Sequence, residues 1–281
     1  MSSDGKTVFI TGCTDGGIGN ALAKVLHERG FHIFAGVRDL KKIPALKDLP
    51  HVTPVILDVT KADQIKAAVK TVADATGGKL DVLINNAAIN NFMPLLDERL
   101  DTIRGLFEVN FIGPIAITQA FAPLLIEAKG LAVFITSIAG YINTPYMGPY
   151  SASKRGLELV ADALRLELAP FDVGVLSVVT GAVQSNGQTY FDDLRLPEGS
   201  LYKPIEETIR KRAQGSDGVE RMPTTDYAGP VVDEIVKRTT GSFWYGGSAD
   251  MVRNMKTNVD VPFNVMDAHM SQGNGLDVLK K

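Results

Sequence analysis

The sequence predicts an α/β fold, a single domain on a doubly wound parallel sheet of about seven strands with helices on both faces. Short, almost wholly apolar segments such as KTVFIT and LAVFIT recur along the chain, as expected of parallel strands that are buried on both faces. Segments with helical spacing of apolar residues alternate with them. A glycine-rich turn separates the first strand from the first helix.

Each predicted strand is a short apolar run bounded by turn residues. In chain order the strands are Lys6–Thr11, Phe31–Val37, Val52–Leu57, Leu80–Ile84, Leu131–Thr136, Val173–Val179 and Ser242–Tyr245. The predicted helices are amphipathic, and Thr60 is a suitable cap for the second of them while Gly30 closes the first. They are Ile18–Arg29, Thr60–Val72, Asp101–Ala128 and Tyr150–Leu168.

Two regions break this alternation. Residues 182–225 are polar and aromatic and contain several prolines, and a loop of that length in a compact domain is usually functional or mobile. The polar tail 251–281 is a candidate for partial disorder. We therefore predict one domain over residues 1–250, which includes a substrate loop at about 182–225.

Composition excludes several classes of function. The net charge of −3 argues against a nucleic-acid binder. A single cysteine, Cys13, cannot form an internal disulfide and favours a reducing compartment, so we expect a cytoplasmic protein. No run of apolar residues predicts a signal peptide or a transmembrane segment, and the scattered histidines predict no metal site.

The turn TGCTDGGIG has the character of a nucleotide site. Gly12 permits a tight turn, while Gly17 and Gly19 let the backbone approach a pyrophosphate at a helix N-terminus. A glycine-rich turn alone is more often only a turn, but its position between an apolar strand and an apolar helix indicates a Rossmann-type dinucleotide site.

Residues after the next strands indicate which dinucleotide binds. Arg38 follows the second strand where an acid usually selects NAD, and a guanidinium suits the 2′-phosphate of NADP(H). The alternative is a solvated Arg38 paired with Asp39. Asp58 after the third strand is either an adenine contact or a helix-capping residue, and the small residues of Asn85-Asn86-Ala87-Ala88 let the backbone run close to the cofactor or form an Asn-rich turn.

The stretch PYSASKRG contains a tyrosine and a lysine with the spacing of one helical face, Tyr150 and Lys154. An ammonium beside a phenol lowers the pKa of the phenol, and Ser137 at a neighbouring strand end is placed to hold a substrate carbonyl. Most such pairs are surface residues of a helix. With the glycine-rich turn in the same chain, the set indicates proton transfer at an alcohol or carbonyl oxygen during hydride transfer.

Together these motifs resemble the short-chain dehydrogenase/reductase family over nearly the whole chain up to about residue 250. The resemblance rests on TGCTDGGIG, LDV, NNAA, VN at Asn110, Ser137 and YSASK. The glycine motif has one residue more than the family pattern, Ala88 replaces a glycine, and Thr180-Gly181 replaces Pro-Gly. VVTGAVQSN, LPEGSLYKPIE and GSFWYGG are similar to a fungal branch with NADPH-dependent acyl-dihydroxyacetone phosphate reductases and reductases of secondary metabolism.

The resemblance implies a role for each catalytic residue. Tyr150 is the general acid in reduction, Lys154 also holds the nicotinamide ribose, and Ser137 orients and polarises the carbonyl. Asn110 holds a water for proton relay, or kinks its helix by satisfying its own backbone, or both. Val183 and Ser185 are expected at the nicotinamide amide. The predicted NADPH/NADP⁺ contacts are Gly12, Thr14, Gly17, Ile18, Gly19, Arg38, Asp58, Val59, Asn85, Ala87, Tyr150, Lys154, Val183 and Ser185.

The substrate pocket is expected under the segment after Gly181. Tyr141 and Met147 flank the catalytic tyrosine and are predicted pocket walls, so an apolar or aromatic carbonyl substrate is favoured. The aromatic residues of the long loop are expected to pack on the body more often than to line a lid. Its basic residues, Lys203, Arg210, Lys211 and Arg212, are expected on a solvated helical face, which disfavours a phosphate clamp.

We therefore expect an NADPH-dependent carbonyl reductase. The alternative from another class is a cofactor-binding protein of this fold with a non-redox role, as a biosynthetic cyclase or an NADPH sensor. The family resemblance also implies a homo-oligomer, a dimer or tetramer, that pairs through the helices at Asp101–Ala128 and Tyr150–Leu168.

Overall fold

The structure, a computed structural model, describes residues 5–257 and residue 273, with the backbone alone for residues 188–190 and 257. Its strands are β1 Thr7–Thr11, β2 His32–Val37, β3 Val52–Ile56, β4 Val82–Asn85, β5 Leu131–Ser137, β6 Gly174–Thr180, β7 Val183–Gln184, β8 Met222–Pro223 and β9 Gly241–Tyr245. Its α-helices are α1 Ile18–Glu28, α2 Ala62–Thr76, α3 Leu100–Phe107, α4 Gly113–Ala128, α5 Gly148–Leu168, α6 Glu206–Ala213, α7 Thr224–Val236 and α8 Ala249–Thr257.

Seven strands form one sheet in the order β3-β2-β1-β4-β5-β6-β9, and every pair in it is parallel. The chain moves outward from β1 to β3 and then returns to the other side of β1 at β4. This reversal opens a crevice beyond the carboxyl ends of β1 and β4, where ligands of such sheets bind. The doubly wound α/β fold that the sequence predicts is confirmed.

The sheet separates two apolar cores. In β1, Val8 and Ile10 belong to the core under α1 and α7, and Phe9 belongs to the core under α2, α4 and α5. Successive side chains of a strand point to opposite faces, so a strand covered on both sides must be apolar throughout. This requirement explains the apolar runs from which the strands were predicted.

The predicted long helix Asp101–Ala128 is present, but a π-helical turn interrupts it. A π-helical segment, Glu108–Ile112, joins α3 to α4. The whole stretch Leu100–Ala128 is long and apolar enough to cross a membrane by length and composition alone, a test that the core helix of a soluble protein also passes. Ile117, Phe121 and Leu125 of this stretch are completely buried against the sheet and its neighbours, as in a core helix.

Residues 182–225, which we call the lid segment, fold onto the body. Ile205 and Ile209 join Phe92 and Tyr146 in a third apolar cluster, and Tyr202 packs against it. Phe191 also packs there, as expected for these aromatic residues, whereas Leu201 is 72% exposed. The segment is thus a packed cover over one end of the sheet.

Helix α8 crosses the predicted domain boundary at residue 250. Ala249 and Val252 are each 2% exposed and pack with Trp244 of β9. The domain therefore includes this helix. The rest of the predicted tail, 258–281, lies outside the described residues except for Gly273.

Candidate active site

A cleft of about 430 Å³ opens at the carboxyl ends of the central strands. Its walls come from the segments that follow β1 to β6, together with the N-terminal half of α5 and the lid segment. This is the position expected from the strand order, and the volume lies within the usual range for small-molecule sites, about 300–1,000 Å³.

The glycine-rich turn forms the floor of the cleft next to β4. Gly12 has φ +76°, and a Cβ at this position would lie 2.9 Å from the Cα of Ala87. Asn86 Nδ2 donates to the carbonyl oxygens of Thr11 at 2.8 Å and of Gly12 at 3.1 Å. Close approach of these two backbones therefore requires glycine at position 12.

The additional residue of the glycine motif is accommodated in a bulge at Asp15-Gly16. The Asp15 amide donates to the Lys42 carbonyl oxygen at 2.8 Å, and Gly16 has φ +76°. Thr14, Gly17 and Ile18 consequently remain in the cleft wall. The bulge shows how the chain absorbs the departure from the family pattern noted in the sequence.

The first turn of α1 faces this floor with free amides. Gly17 caps the helix without a side-chain hydrogen bond, and the first turn contains no acidic residue. Uncapped amides and the positive end of the helix dipole suit an anion such as a pyrophosphate. Gly19 is not in the wall: its Cβ would lie 2.6 Å from the Gly12 carbonyl oxygen, so it permits close packing of the helix on the turn.

Arg38 and Asp58 occupy the outer end of the cleft with Val59. Arg38 makes no ion pair with Asp39, whose Oδ1 instead accepts from the Lys41 amide at 2.9 Å. Burial opposes ionisation of Asp58, but hydrogen bonds from Thr60 and the charge of Arg38 outweigh it and hold the pKa of Asp58 below its usual value. Asp58 therefore accepts two hydrogen bonds from Thr60 as a turn residue and still lines the cleft.

Ser137, Tyr150 and Lys154 meet in the middle of the cleft. Ser137 ends β5, and its side chain is hydrogen-bonded to the phenol of Tyr150 on the first turn of α5. Lys154 is 4% exposed, its Nζ donates to the Ile135 carbonyl oxygen at 2.9 Å, and the same Nζ lies 5.9 Å from the centre of the Tyr150 ring. Both residues of the predicted YxxxK pair, Tyr150 and Lys154, thus face the same part of the cleft as Ser137.

The electrostatics of this group differ from the sequence expectation. Burial raises the pKa of Tyr150, and the hydrogen bond from Ser137 offsets only part of that effect. Burial also lowers the pKa of Lys154 to about 8. The lysine was expected to lower the pKa of the phenol, but desolvation has the larger effect here, so the phenol keeps its proton at neutral pH.

Two predicted site residues lie behind the wall. Asn110 is completely buried in the π-helical segment, where Oδ1 accepts from the Ile89 amide and Nδ2 donates to the Ile89 carbonyl oxygen, both at 2.9 Å. The sequence alternative was an asparagine that satisfies the backbone of its own helix, whereas Asn110 satisfies the backbone of another segment; the water relay stays a prediction. Asn85 Nδ2 donates to Thr118 Oγ1 at 3.0 Å, so Asn85 fixes β4 to α4 instead of lining the cleft.

The segment after β6 closes the cleft over the glycine-rich turn. Val183 and Ser185 lie in the wall as predicted. Asn186 was not predicted, and its Nδ2 donates to the Asp15 carbonyl oxygen at 2.6 Å. The bulge in the glycine motif and the start of the lid segment are therefore in direct contact.

Two residues, Tyr141 and Met147, were predicted as walls of the substrate end, and one of them lies there. Met147 lines the cleft, but Tyr141 does not. The Tyr141 hydroxyl donates to Glu158 Oε1 at 2.5 Å, and its ring packs against Trp244 and Arg155. A buried carboxylate one helical turn beyond Lys154 thus holds Tyr141 away from the cleft, which its position near Tyr150 in the sequence did not reveal.

Several wall residues were not predicted, and most of them come from loops whose direction the sequence does not fix. They include Val37, Leu57, Asn90, Phe92, Ile142, Thr144, Arg212, Asp217, Val219 and Arg221. Arg212 corrects a specific expectation, since it lines the cleft and not the solvated face of its helix. The apolar residues of this set extend the wall that contains Met147. The sequence did predict that residues 182–225 cover the substrate site, and this prediction was the signal that could have identified the wall residues of that segment.

The cleft fits a dinucleotide with a 2′-phosphate. Backbone amides of an uncapped helix face one part of it, a guanidinium without an ion pair among the described residues lies at its outer end, and a buried ammonium lies at its centre. Within residues 5–257 and 273, no group of three His, Cys, Asp or Glu side chains is placed to hold a metal ion.

Comparison with known proteins gives consistent matches. A family model described as short chain dehydrogenase matches residues 6–194. Short-chain dehydrogenase PC-15 of Penicillium crustosum is 46% identical over 246 residues, which cover 87% of this chain and 89% of that protein.

An NADPH-dependent 1-acyldihydroxyacetone phosphate reductase of Schizosaccharomyces pombe is 35% identical over 85% of this chain and 80% of its own length. Among solved structures, a short chain dehydrogenase from Burkholderia cenocepacia in complex with NADP superposes with a TM-score of 0.74 at 24% identity, covering 97% of this chain and 100% of that one. At that identity the likeness concerns the fold.

Proposed function

The chain belongs to the short-chain dehydrogenase/reductase family, and from this premise we propose that it is an NADPH-dependent reductase of a ketone or aldehyde carbonyl in a mostly apolar substrate. The observation that carries the proposal is the meeting of Ser137, Tyr150 and Lys154 inside a cleft that also contains Arg38 and the glycine-rich turn.

The choice of NADP(H) is supported by charge at the outer end of the cleft. Arg38 follows β2 at the place where NAD-dependent Rossmann proteins usually have an acid. A relative is named as NADPH-dependent, and a structural neighbour contains NADP. Arg38 would bind the 2′-phosphate, and the free amides of the first turn of α1, which begin with that of Ile18, would bind the pyrophosphate.

When bound, NADPH supplies the hydride that reduces the carbonyl carbon. Tyr150 then donates its phenolic proton to the carbonyl oxygen, for which a phenol that is protonated at neutral pH is well suited. With substrate in place, the Ser137 hydroxyl turns its single proton from the Tyr150 oxygen to the carbonyl oxygen, which it positions and polarises. Lys154 is available to the ribose hydroxyls, and its charge stabilises the phenolate that remains.

The substrate end of the cleft supports an apolar carbonyl compound. Phe92, Ile142, Met147 and Val219 form an apolar wall on the side of the lid segment. An aliphatic or aromatic body would bury its surface there, and the reacting carbonyl would face Tyr150.

The test is oxidation of NADPH, followed by loss of its absorbance, in the presence of a panel of aryl and alkyl ketones and aldehydes. We expect turnover with at least one carbonyl and a higher kcat/KM with NADPH than with NADH. Tight binding of NADPH by a wild-type protein that reduces none of the panel would favour the alternative, a cofactor-binding protein with a non-redox role.

We also propose a cytoplasmic homo-oligomer. Cys13 is buried and its thiol pKa is raised to about 12 by burial, so the thiol is unreactive and takes no part in disulfide chemistry. Leu159 and Leu166 of α5 are 54% and 65% exposed and lie two helical turns apart on one face. Exposed apolar residues aligned in this way suit the pairing of two copies through α4 and α5.

A further inference from the structure

Helix α6 and the turn before it carry four basic residues, and they differ in whether a carboxylate neutralises them. They are Lys203, Arg210, Lys211 and Arg212. Arg210 Nη2 lies 2.7 Å from Glu207 Oε1, and Lys211 Nζ lies 3.6 Å from the same oxygen. Lys203 is paired with Glu206 at 3.1 Å. These three charges are satisfied by neighbours on their own helical turn.

Arg212 is the exception on this helix. Among the described residues no carboxylate lies within ion-pair distance of its guanidinium, and its Nε is buried without a hydrogen-bond partner. Within the described part of the chain, Nη1 donates to one oxygen, the Gly273 carbonyl, at 3.3 Å. A buried guanidinium nitrogen without an acceptor costs free energy, which an anionic ligand would recover.

The guanidinium lines the cleft at its substrate end. Ala213, the next residue, belongs to the apolar cluster with Phe92 and Tyr146, and the charge of Arg212 opposes the increase that burial causes in the pKa of Tyr146. Arg38 and Asp58 are at the other end, beside the uncapped turn of the nucleotide site. The second lid cation in the wall, Arg221, is neutralised by Asp217 at 2.7 Å.

We propose that Arg212 binds an anionic oxygen group of the substrate, so that the substrate is a carbonyl compound with an apolar body and a carboxylate or phosphate. This rests on the proposed function for the position of the carbonyl at Tyr150. The apolar wall and the unpaired guanidinium at this end of the cleft together select an amphipathic molecule, and a charge-assisted hydrogen bond to Arg212 fixes its orientation.

The test measures binding without turnover. The dissociation constants of para-acetylbenzoate, para-acetylphenyl phosphate and methyl para-acetylbenzoate are measured by titration calorimetry on the protein saturated with NADP⁺, which has no hydride to give. The ester has the same body without the charge. We expect the wild type to bind one of the two anions at least about tenfold more tightly than the ester.

Arg212→Met should reduce that preference to about one and leave the dissociation constant of NADP⁺ unchanged. Arg210→Met, which removes a paired cation from the same helix, is the matched control and should retain the preference. The better anion of the two identifies the acidic group as carboxylate or phosphate.

Equal binding of anions and ester by the wild type, or a preference that survives Arg212→Met, would overturn the proposal. A weaker NADP⁺ affinity in Arg212→Met with no change in the preference would also overturn it, because the guanidinium would then serve the cofactor. Failure to reduce any ketone contradicts the proposed function instead, and the binding ratio is read independently of it.

Discussion

Lys154 shows how the site is built at the cost of stability. Lys154 is 4% exposed. Among the described residues, its Nζ donates to one acceptor, the Ile135 carbonyl oxygen. Burial without a carboxylate partner lowers the pKa of the group to about 8 from 10.5. A charge left in this state is available to ribose hydroxyls and to a phenolate, and the folded protein without ligand carries the desolvation cost.

We predict that Lys154→Met stabilises the ligand-free protein at pH 7. Between about pH 8 and pH 10.5 the unfolded chain holds a proton on this lysine that the folded chain has lost, so the stability of the wild type rises with pH in that window. The variant should gain stability on the order of 3 kcal/mol at pH 7, less the lost hydrogen bond, and roughly 1 kcal/mol or less at pH 10.

The measurement is urea unfolding of both proteins at the two pH values. An advantage of the variant that does not shrink between pH 7 and pH 10, or a variant that is less stable at both, would contradict this account of Lys154.

At the scale of elements, the contact between α1 and the glycine-rich turn fixes the shape of the nucleotide site. Gly19 on α1 faces Asn86 and the Gly12 carbonyl oxygen, and Asn86 holds the same turn to the end of β4. Three segments thus meet at a position where only glycine fits.

Gly19→Ala should therefore destabilise the fold. A Cβ there would lie 2.6 Å from the Gly12 backbone oxygen, and overpacking of this kind costs about 1–3 kcal/mol. Gly105→Ala in α3 is the matched control, because its Cβ would meet no atom within 4 Å and a helical alanine is favoured by about 1 kcal/mol.

Urea unfolding midpoints measure both changes. We expect a lower midpoint for Gly19→Ala and an unchanged or higher midpoint for Gly105→Ala. A neutral Gly19→Ala would mean that α1 is not held against the turn as closely as the structure shows.

Elements of regular pattern were predictable from the sequence. The seven strands of the main sheet and the helices α1, α2 and α5 differ from prediction by a few residues at their ends, because apolar periodicity reports directly on burial. The π-helical turn at Glu108–Ile112 was foreseen only as a kink at Asn110, one of two alternatives, because the sequence does not reveal that Asn110 bonds to the Ile89 backbone in another segment. Helix α7 was also missed, as its apolar face follows a proline-interrupted segment.

The site was predictable where a motif fixes both residue and direction. Ser137, Tyr150, Lys154 and Arg38 all line the cleft, because strand ends and helical spacing determine where their side chains point. The predictions for Tyr141 and Arg212 were wrong in opposite directions. Tyr141 was expected in the cleft wall and is not there, whereas Arg212 was expected on a solvated face and lines the cleft. Each lies in a loop or short helix whose orientation depends on tertiary contacts that the sequence does not reveal.

At the scale of the whole molecule, the outer face of α5 carries exposed leucines. Leu159 and Leu166 present apolar surface on the side of α5 away from the core residues Leu157 and Ala161. Covering such a face with the same face of a second copy would bury it in a two-fold interface.

We expect the wild type to be a dimer or tetramer by light scattering coupled to gel filtration, and the double variant Leu159→Lys/Leu166→Lys to be smaller. Opposed lysines would repel and remove apolar contact. Leu201→Lys, at a leucine of the lid segment that is more exposed than either of these, is the control and should keep the wild-type mass. A monomeric wild type would contradict the proposed pairing.

The measurement that most directly tests the central claim is a comparison of wild type and Tyr150→Phe with NADPH and a ketone that the wild type reduces. The account predicts that the variant still binds NADPH, since Arg38, Lys154 and the glycine-rich turn are untouched, and that its kcat falls by about a hundredfold or more. A variant that reduces the ketone at the wild-type rate would contradict proton donation by Tyr150.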